Sequence, residues 1–196
     1  MRPIPAHMEH KLMAAADLIA ERGLDSTKME DVAAATGIPK ATLYYYFTGK
    51  EEILAFLFQK VLSAVQSAVT MAASGPGTAA ERLREVITAH LRVFADYPTA
   101  SRALQFDLGR AARLPEIATR VEASFIGPVT DLLRDGANDG SLRALPHPRM
   151  VAVALLGAVT TTGLNGMTPE HPGSVVDLAE VLSHLVLEGL DSKGGA

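Results

Sequence analysis

At 196 residues, with 48% hydrophobic and 20% charged side chains, the chain has enough apolar material for a buried core and too little charge to stay disordered. Its formal net charge of −4 excludes a strongly basic nucleic-acid coat. The absence of cysteine excludes disulfides, thiolate nucleophiles and cysteine-based metal sites, and is compatible with a reducing cytoplasm.

The opening MRPIPAHMEH has two prolines and no apolar stretch of signal-peptide length, so the first seven residues are expected to form a mobile arm and the protein to be cytoplasmic. An amphipathic first helix follows, with Leu12, Ala15, Ala16 and Ile19 inward, and ends at Gly23. Thr27, with Glu30 reaching back to its N–H, predicts an N-cap and a second helix whose buried face is Met29, Val32 and Ala33. Gly37 supplies the left-handed residue that ends it. Pro39 suits the first position of a short third helix reaching Phe47. Leu43 and Phe47, four apart, face inward and leave Lys40, Ala41, Tyr44 and Tyr45 on the other face. The first 50 residues carry six basic and six acidic side chains, but Gly37 to Lys50 contains two lysines and no acid, a local and modest electrostatic footprint. Read on composition alone, Tyr44, Tyr45 and Tyr46 are more simply ordinary amphipathic surface or core residues, and Lys40 and Lys50 solvated charges.

Residues 51–196 carry 12 basic and 16 acidic side chains, a balance suited to burial rather than to nucleic acid. Helical spacing of Ile53, Leu54, Leu57, Phe58, Val61, Val65, Ala68 and Val69 predicts a helix from Lys50 to about Ala73, broken by Ser74-Gly75-Pro76-Gly77. Thr78 and Glu81 predict a capping box for a helix through Leu83, Val86, Ile87, Leu91 and Phe94 to Tyr97. Pro98 opens another to about Arg110. Pro115 opens a longer one through Ile117, Val121, Phe125, Val129, Leu132 and Leu133 to the Gly136–Gly140 turn, with a kink expected at Gly127-Pro128. Two strongly apolar helices close the chain, Pro148 to about Gly166 and Val175 to Leu190, before a frayed end at Ser192–Ala196. Met150 to Val159 lacks any polar side chain but is too short to cross a bilayer, so no membrane partner is expected. Self-association is the economical reading, with Leu155, Leu156 and Val159 joining Val181, Leu182 and Leu185 in a four-helix contact across a two-fold axis; an ordinary monomeric core is the alternative. Phe94, Leu104, Phe106, Phe125 and Leu164 offer apolar walls for a ligand pocket, with His90, Gln105, Thr161, Thr162 and Asn165 as its polar groups. The competing reading has the threonines bonding back to their own helix and His90 as an ordinary satisfied side chain.

The stretch TKMEDVAAATGIPKATLYYYFTGK, residues 27–50, resembles the helix-turn-helix of the tetracycline repressor (TetR) family of transcriptional regulators. The likeness runs from about Lys11 to Leu54, through Gly23, Thr27, Asp31-Val32-Ala33, Gly37-Ile38, Thr42-Leu43-Tyr44, Tyr46-Phe47 and Lys50-Glu51. Pro39 and Ala41 stand where the family commonly has serine and glycine; the first removes a hydroxyl that would meet a phosphate, and the second offers a methyl group to a thymine methyl. The resemblance implies an all-α fold of about nine helices, with a three-helix DNA-binding domain over 1–49 and a helical ligand-binding and dimerisation domain over 50–196. It implies that Lys40, Ala41 and Tyr45 face base edges, that Thr42, Tyr44, Tyr46 and Lys50 hold phosphates, and that Lys28 adds a backbone contact aided by its helix dipole. Any phosphate contact by Thr27 comes in addition to its capping role. The implied partners are double-stranded operator DNA, a second copy of the chain, and a small, partly apolar effector whose binding releases a repressor from DNA, with the helix from Lys50 to Ala73 as lever.

Nothing in the sequence supports an enzyme. The histidines at 7, 10, 90, 147, 171 and 184 form no H-E-x-x-H pair, and no nucleophile elbow, phosphate loop or dinucleotide fingerprint is present, so neither metal nor cofactor is expected. A helical DNA-binding or interaction protein without an inducer is the alternative.

Overall fold

In the computed structural model, residues 3–101, 103, 115–168, 171–172 and 174–190 are described. The fold is all-α, apart from a two-residue antiparallel pairing of Met167–Thr168 with His171–Pro172. Its elements are α1 (Ala6–Leu12), α2 (Ala14–Arg22), α3 (Met29–Thr36), α4 (Lys40–Tyr46), α5 (Lys50–Ala73), α6 (Ala79–Asp96), α7 (Pro115–Val121), a π-helical turn (Glu122–Ile126), α8 (Gly127–Asp139), α9 (Pro148–Gly166) and α10 (Val175–Leu190). The chain forms two compact units, Met1–Val61 with Tyr97–Ile117, and Leu62–Asp96 with Ala118–Ala196. The expected boundary at 49/50 thus differs from the one drawn by packing, because the first half of α5 packs with the head.

In the first unit, Leu12, Ala15, Ala16, Ile19, Leu24, Val32, Ile38, Leu43, Phe47, Ile53, Leu54 and Leu57 form the core. The expected first helix ends at Gly23, as its pattern predicts, but is interrupted at Met13, whose N–H donates to the His10 carbonyl three residues back at 3.3 Å while its backbone stays helical. Helical structure also begins inside the stretch expected to be an arm. Helix α1 starts at Ala6 because Met8 is buried, and Glu9 pairs with Lys60 of α5. Helix α5 is long and apolar enough to cross a bilayer by length and composition, but Ile53, Leu54, Leu57, Phe58 and Val61 are buried in protein, as a core helix requires.

In the second unit, α6 is the central element, burying Leu83, Val86, Ile87, His90, Leu91 and Phe94 alongside Phe125, Val129, Leu133, Ala152, Leu155 and Val159. Its start is capped twice. Glu81 accepts from the Thr78 N–H at 2.8 Å while Thr78 Oγ1 accepts from the Glu81 N–H at 3.3 Å, the expected box. Asp139 also accepts from the Ala79 N–H at 2.8 Å, which joins the end of α8 to the start of α6. Both carboxylates are held below their ordinary range, Glu81 chiefly by the Thr78 backbone N–H, and Asp139 chiefly by the Ser141 side chain with the Ala79 N–H next. Helix α8 ends at Gly140, whose φ of 76° is left-handed, and the Leu142 N–H returns to the Gly136 carbonyl at 2.9 Å.

The irregularity expected at Gly127-Pro128 lies one turn earlier, as the π-helical turn Glu122–Ile126. Proline at 128 has no N–H for the carbonyl four residues back and its ring crowds that position, so the preceding turn widens while the helix continues.

Candidate DNA-reading surface and effector core

The reading head is built on a turn that fixes two helices. Gly37 closes α3 at φ 63°. Thr36 Oγ1 donates to the Val32 carbonyl at 2.7 Å and accepts the Ile38 N–H at 3.3 Å, so the turn's polar groups are satisfied locally. Pro39 takes the N-cap position of α4 rather than the first helical one, and its carbonyl accepts the N–H groups of Thr42 and Leu43 at 2.8 and 3.0 Å. Leu43 and Phe47 are buried, as their spacing predicts. With these two anchors inward, Lys40, Ala41, Tyr44 and Tyr45 are exposed, Tyr44 at 50% and Tyr45 at 59%, the exposure a groove-reading face needs. Thr42 and Tyr46 are half-buried, and the Tyr45 and Tyr46 rings meet edge to face at 4.9 Å.

Three expected contacts are arranged differently. Thr27 is fully buried, and its hydroxyl donates to the Gly23 carbonyl at 2.8 Å, so it shapes the loop before α3 and has no surface to offer a phosphate. The N-cap is Lys28, one residue later, and the carboxylate that reaches back to its N–H, at 3.0 Å, is that of Asp31. Glu30, expected in that role, pairs instead with Lys40 across the two helices. The Lys40 hydrogen bond holds the Glu30 carboxyl below its usual range, and the same bond raises the Lys40 ammonium. Lys50 donates from Nζ to the carbonyls of Leu24 at 2.7 Å and Asp25 at 3.0 Å, tying the start of α5 to the α2–α3 loop. Neither arrangement is legible in the sequence, because partners 10 and 25–26 residues away leave no periodic trace.

In the second unit, three of the expected pocket residues converge. The His90 ring stacks on Phe94 with centroids 5.0 Å apart, and Phe125, carried on the π-helical turn, lies 4.9 Å away. Burial pushes the His90 imidazolium down to about 3, so the ring is neutral, and its Nδ1 has no hydrogen-bond partner among the described residues. Gly163 of α9 is part of the same packing. A Cβ there would lie 2.6 Å from Phe94 Cδ2 and 3.2 Å from Leu91 Cδ2, so only glycine lets α9 approach the ring. Leu164 is buried, whereas Thr161 and Asn165 are exposed and Thr162 is half-buried. The Asn165 side chain donates to the Thr161 carbonyl at 2.8 Å, so it turns to its own helix instead of to His90. Leu104, Gln105 and Phe106 lie outside the described residues.

The dimer expectation divides by residue. Leu155, Val159 and Leu182 are buried within the chain's own core and Leu156 is half-buried, while Val181 is 65% and Leu185 70% exposed. Met150, at 62%, and Val153 add an exposed apolar stripe on α9, joined by Ala154 and Gly157 at helical spacing. Among the described residues no cluster of three His, Cys, Asp or Glu is placed to hold a metal.

Comparison with known proteins matches this arrangement part by part. Residues 12–56 match the N-terminal domain described as "Bacterial regulatory proteins, tetR family", and residues 76–190 match a "Tetracyclin repressor-like, C-terminal domain". A fatty acid metabolism regulator protein of Bacillus subtilis is 22% identical over 181 residues, 92% of this chain and 93% of the relative. Among solved structures, the ketosteroid transcriptional regulator KstR2 of Mycobacterium tuberculosis superposes with a TM-score of 0.81 at 22% identity, over 96% of this chain and 97% of its own. The TetR family regulator PfmR of Thermus thermophilus does so with a TM-score of 0.80 at 25% identity, over 92% and 98%. Two matched domains spanning most of the sequence, with the helix-turn-helix first and the helical core following it, show that the chain belongs to the TetR family of transcriptional regulators.

Proposed function

We infer that the protein is a cytoplasmic, homodimeric repressor that binds operator DNA through α4 and leaves it when a small, mainly apolar molecule occupies the second unit. The observation that carries the DNA-binding part is the division of labour on α4. Leu43 alone in that helix is fully buried, together with Phe47 just beyond it, while Lys40, Ala41, Tyr44 and Tyr45 contribute little to the core and stay exposed. Tyr45, Ala41 and Lys40 read base edges, and Tyr44, Tyr46, Thr42 and Lys28 set the register on the phosphates. Lys50 acts chiefly through the loop it holds.

Two heads are needed to occupy half-sites one helical turn apart, and the exposed stripes of Met150, Val153, Val181 and Leu185 are the surface that joins a second copy. The effector reading is supported by the neutral, apolar surroundings of His90 and by relatives named for fatty acid metabolism and ketosteroids. One structural neighbour, AibR, was solved with both isovaleryl coenzyme A and operator DNA. An effector that binds the DNA-free state better needs only about 1–3 kcal/mol of coupling to weaken DNA binding roughly 5–150-fold, and DNA then weakens effector binding by the same factor.

Selection of bound sequences from random duplexes, repeated with Tyr45→Ala, tests the reading face. The wild type is expected to enrich a two-fold symmetric site and the variant to enrich a degenerate one. Identical sequence preferences in both proteins would remove α4 as the reader.

A further inference from the structure

We propose that His90 Nδ1, held between the rings of Phe94 and Phe125, is the anchor for a hydroxyl group on an otherwise apolar effector. The proposal rests on the effector reading above and adds the chemistry of the effector's polar end.

A buried ring nitrogen without a partner is costly, and proteins rarely keep one unless something else uses it. His90 is 3% exposed and sits in the middle of α6, among Ile87, Leu91, Phe94 and Phe125, where a leucine would pack without that cost. Two further irregularities meet at the same place. The π-helical turn, an uncommon element that is often found at functional sites, carries Phe125 to the imidazole. Gly163 removes the one side-chain atom that would push Phe94 off its position beside His90.

The chemistry of the nitrogen selects the ligand. The ring is neutral at any physiological pH because burial opposes its charge, so it offers no cation to a carboxylate or phosphate. A carboxylate placed here would lose its water, and among the described residues no ion pair involves His90 that could offer it a counter-charge. A neutral imidazole nitrogen is a donor in one tautomer and an acceptor in the other. A hydroxyl satisfies either, whereas an ether or ketone oxygen satisfies only the donor form. The two phenylalanine rings take the apolar body.

Matched probes test this by ligand-dependent thermal shift and calorimetric titration at neutral pH. They comprise fatty alcohols, the corresponding fatty acids and methyl ethers, and a hydroxysteroid with its ketone, each added to wild type, His90→Phe and His90→Leu. Hydroxyl members are expected to bind the wild type, to move the side-chain nitrogen resonance of His90 in NMR, and to weaken operator binding. Both variants are expected to melt at or above the wild-type temperature without ligand, and to bind the alcohols about tenfold more weakly, with the preference over the ethers gone. Acids binding as tightly as alcohols, or alcohols binding without moving the His90 resonance, would overturn the hydroxyl anchor and leave the effector reading standing. If no probe binds any of the three proteins or changes operator affinity, the effector reading falls, and the anchor with it.

Discussion

Acidification should unfold this protein partly through one buried ring, and replacing that ring isolates the effect. His90 ordinarily would titrate near 6.5, and burial pushes it down to about 3. The unfolded chain therefore takes up a proton that the folded chain refuses, and stability falls as pH drops from about 6.5 towards about 3, with no effect above that window. At about pH 4.5 the unfolded ring is protonated roughly a hundredfold in excess of the neutral form while the folded ring is still neutral, a penalty of roughly 3 kcal/mol. His90→Leu removes that penalty. It should also gain about 1–3 kcal/mol near pH 7 because the unpartnered Nδ1 is gone. Glu30, Glu52, Glu81 and Asp139 are all held below their ordinary range, so they too withdraw stability on acidification, but equally in both proteins. Urea unfolding of wild type and variant between about pH 7 and pH 4.5 should give two curves that separate by about a further 2–3 kcal/mol as the pH falls. Parallel curves would refute the reasoning, because they would mean that the ring gains its proton as readily inside the fold as outside it.

Lys50→Met leaves the carbonyls of Leu24 and Asp25 without their donor and should cost about 1–3 kcal/mol in urea unfolding; a lysine that only touched DNA would leave stability unchanged. Val181→Glu combined with Leu185→Glu places two charges on the exposed face of α10, so sedimentation should show monomers, with operator affinity reduced about a hundredfold or more and helical content retained; persisting dimers would move the interface elsewhere. Gly136→Ala would put a methyl group 2.5 Å from Leu142 Cδ1 and 2.8 Å from its Cβ, and the closure of α8 should lose about 1–3 kcal/mol, read as a lowered melting temperature; an unchanged one would show that Leu142 moves aside freely.

The helix-turn-helix is legible in the sequence because its determinants are local. The glycine at 37, the proline at 39 and the Leu43–Phe47 spacing act within a few residues of themselves. The cap before α3 misleads by one position, since Asp31 and Glu30 are adjacent acids and only the loop's path decides which one faces back. The apolar helix α9 misleads more. A helix with ten consecutive residues lacking a polar side chain has no polar stripe to mark its outer side, so Leu155 and Val159 look equivalent to Met150 and Val153, and only packing separates them. Helix α10 keeps polar residues between its apolar ones, and there Val181 and Leu185 lie outward, as a pairing face requires, while Leu182 turns into the chain's own core. Of the pocket, the aromatic members converge because large rings have few other places to go. Asn165 does not, because a short polar side chain on a helix finds its own backbone first, and Thr161 is exposed.

The pairing of Glu30 with Lys40 bears on how the regulator spends its time in a genome. Random DNA attracts proteins through its phosphates, and Lys40, paired with a carboxylate of its own chain, adds less free positive charge to that attraction. A head with six basic and six acidic residues, and one of its lysines already partnered, is expected to be held only briefly at wrong sites. On the proposed reading, the hydrogen bond of Tyr45 and the apolar contact of Ala41 are collected only where the bases fit. Few molecules are then stranded on decoy sequence, so a small cellular pool can keep one operator occupied and still clear it quickly when the effector arrives.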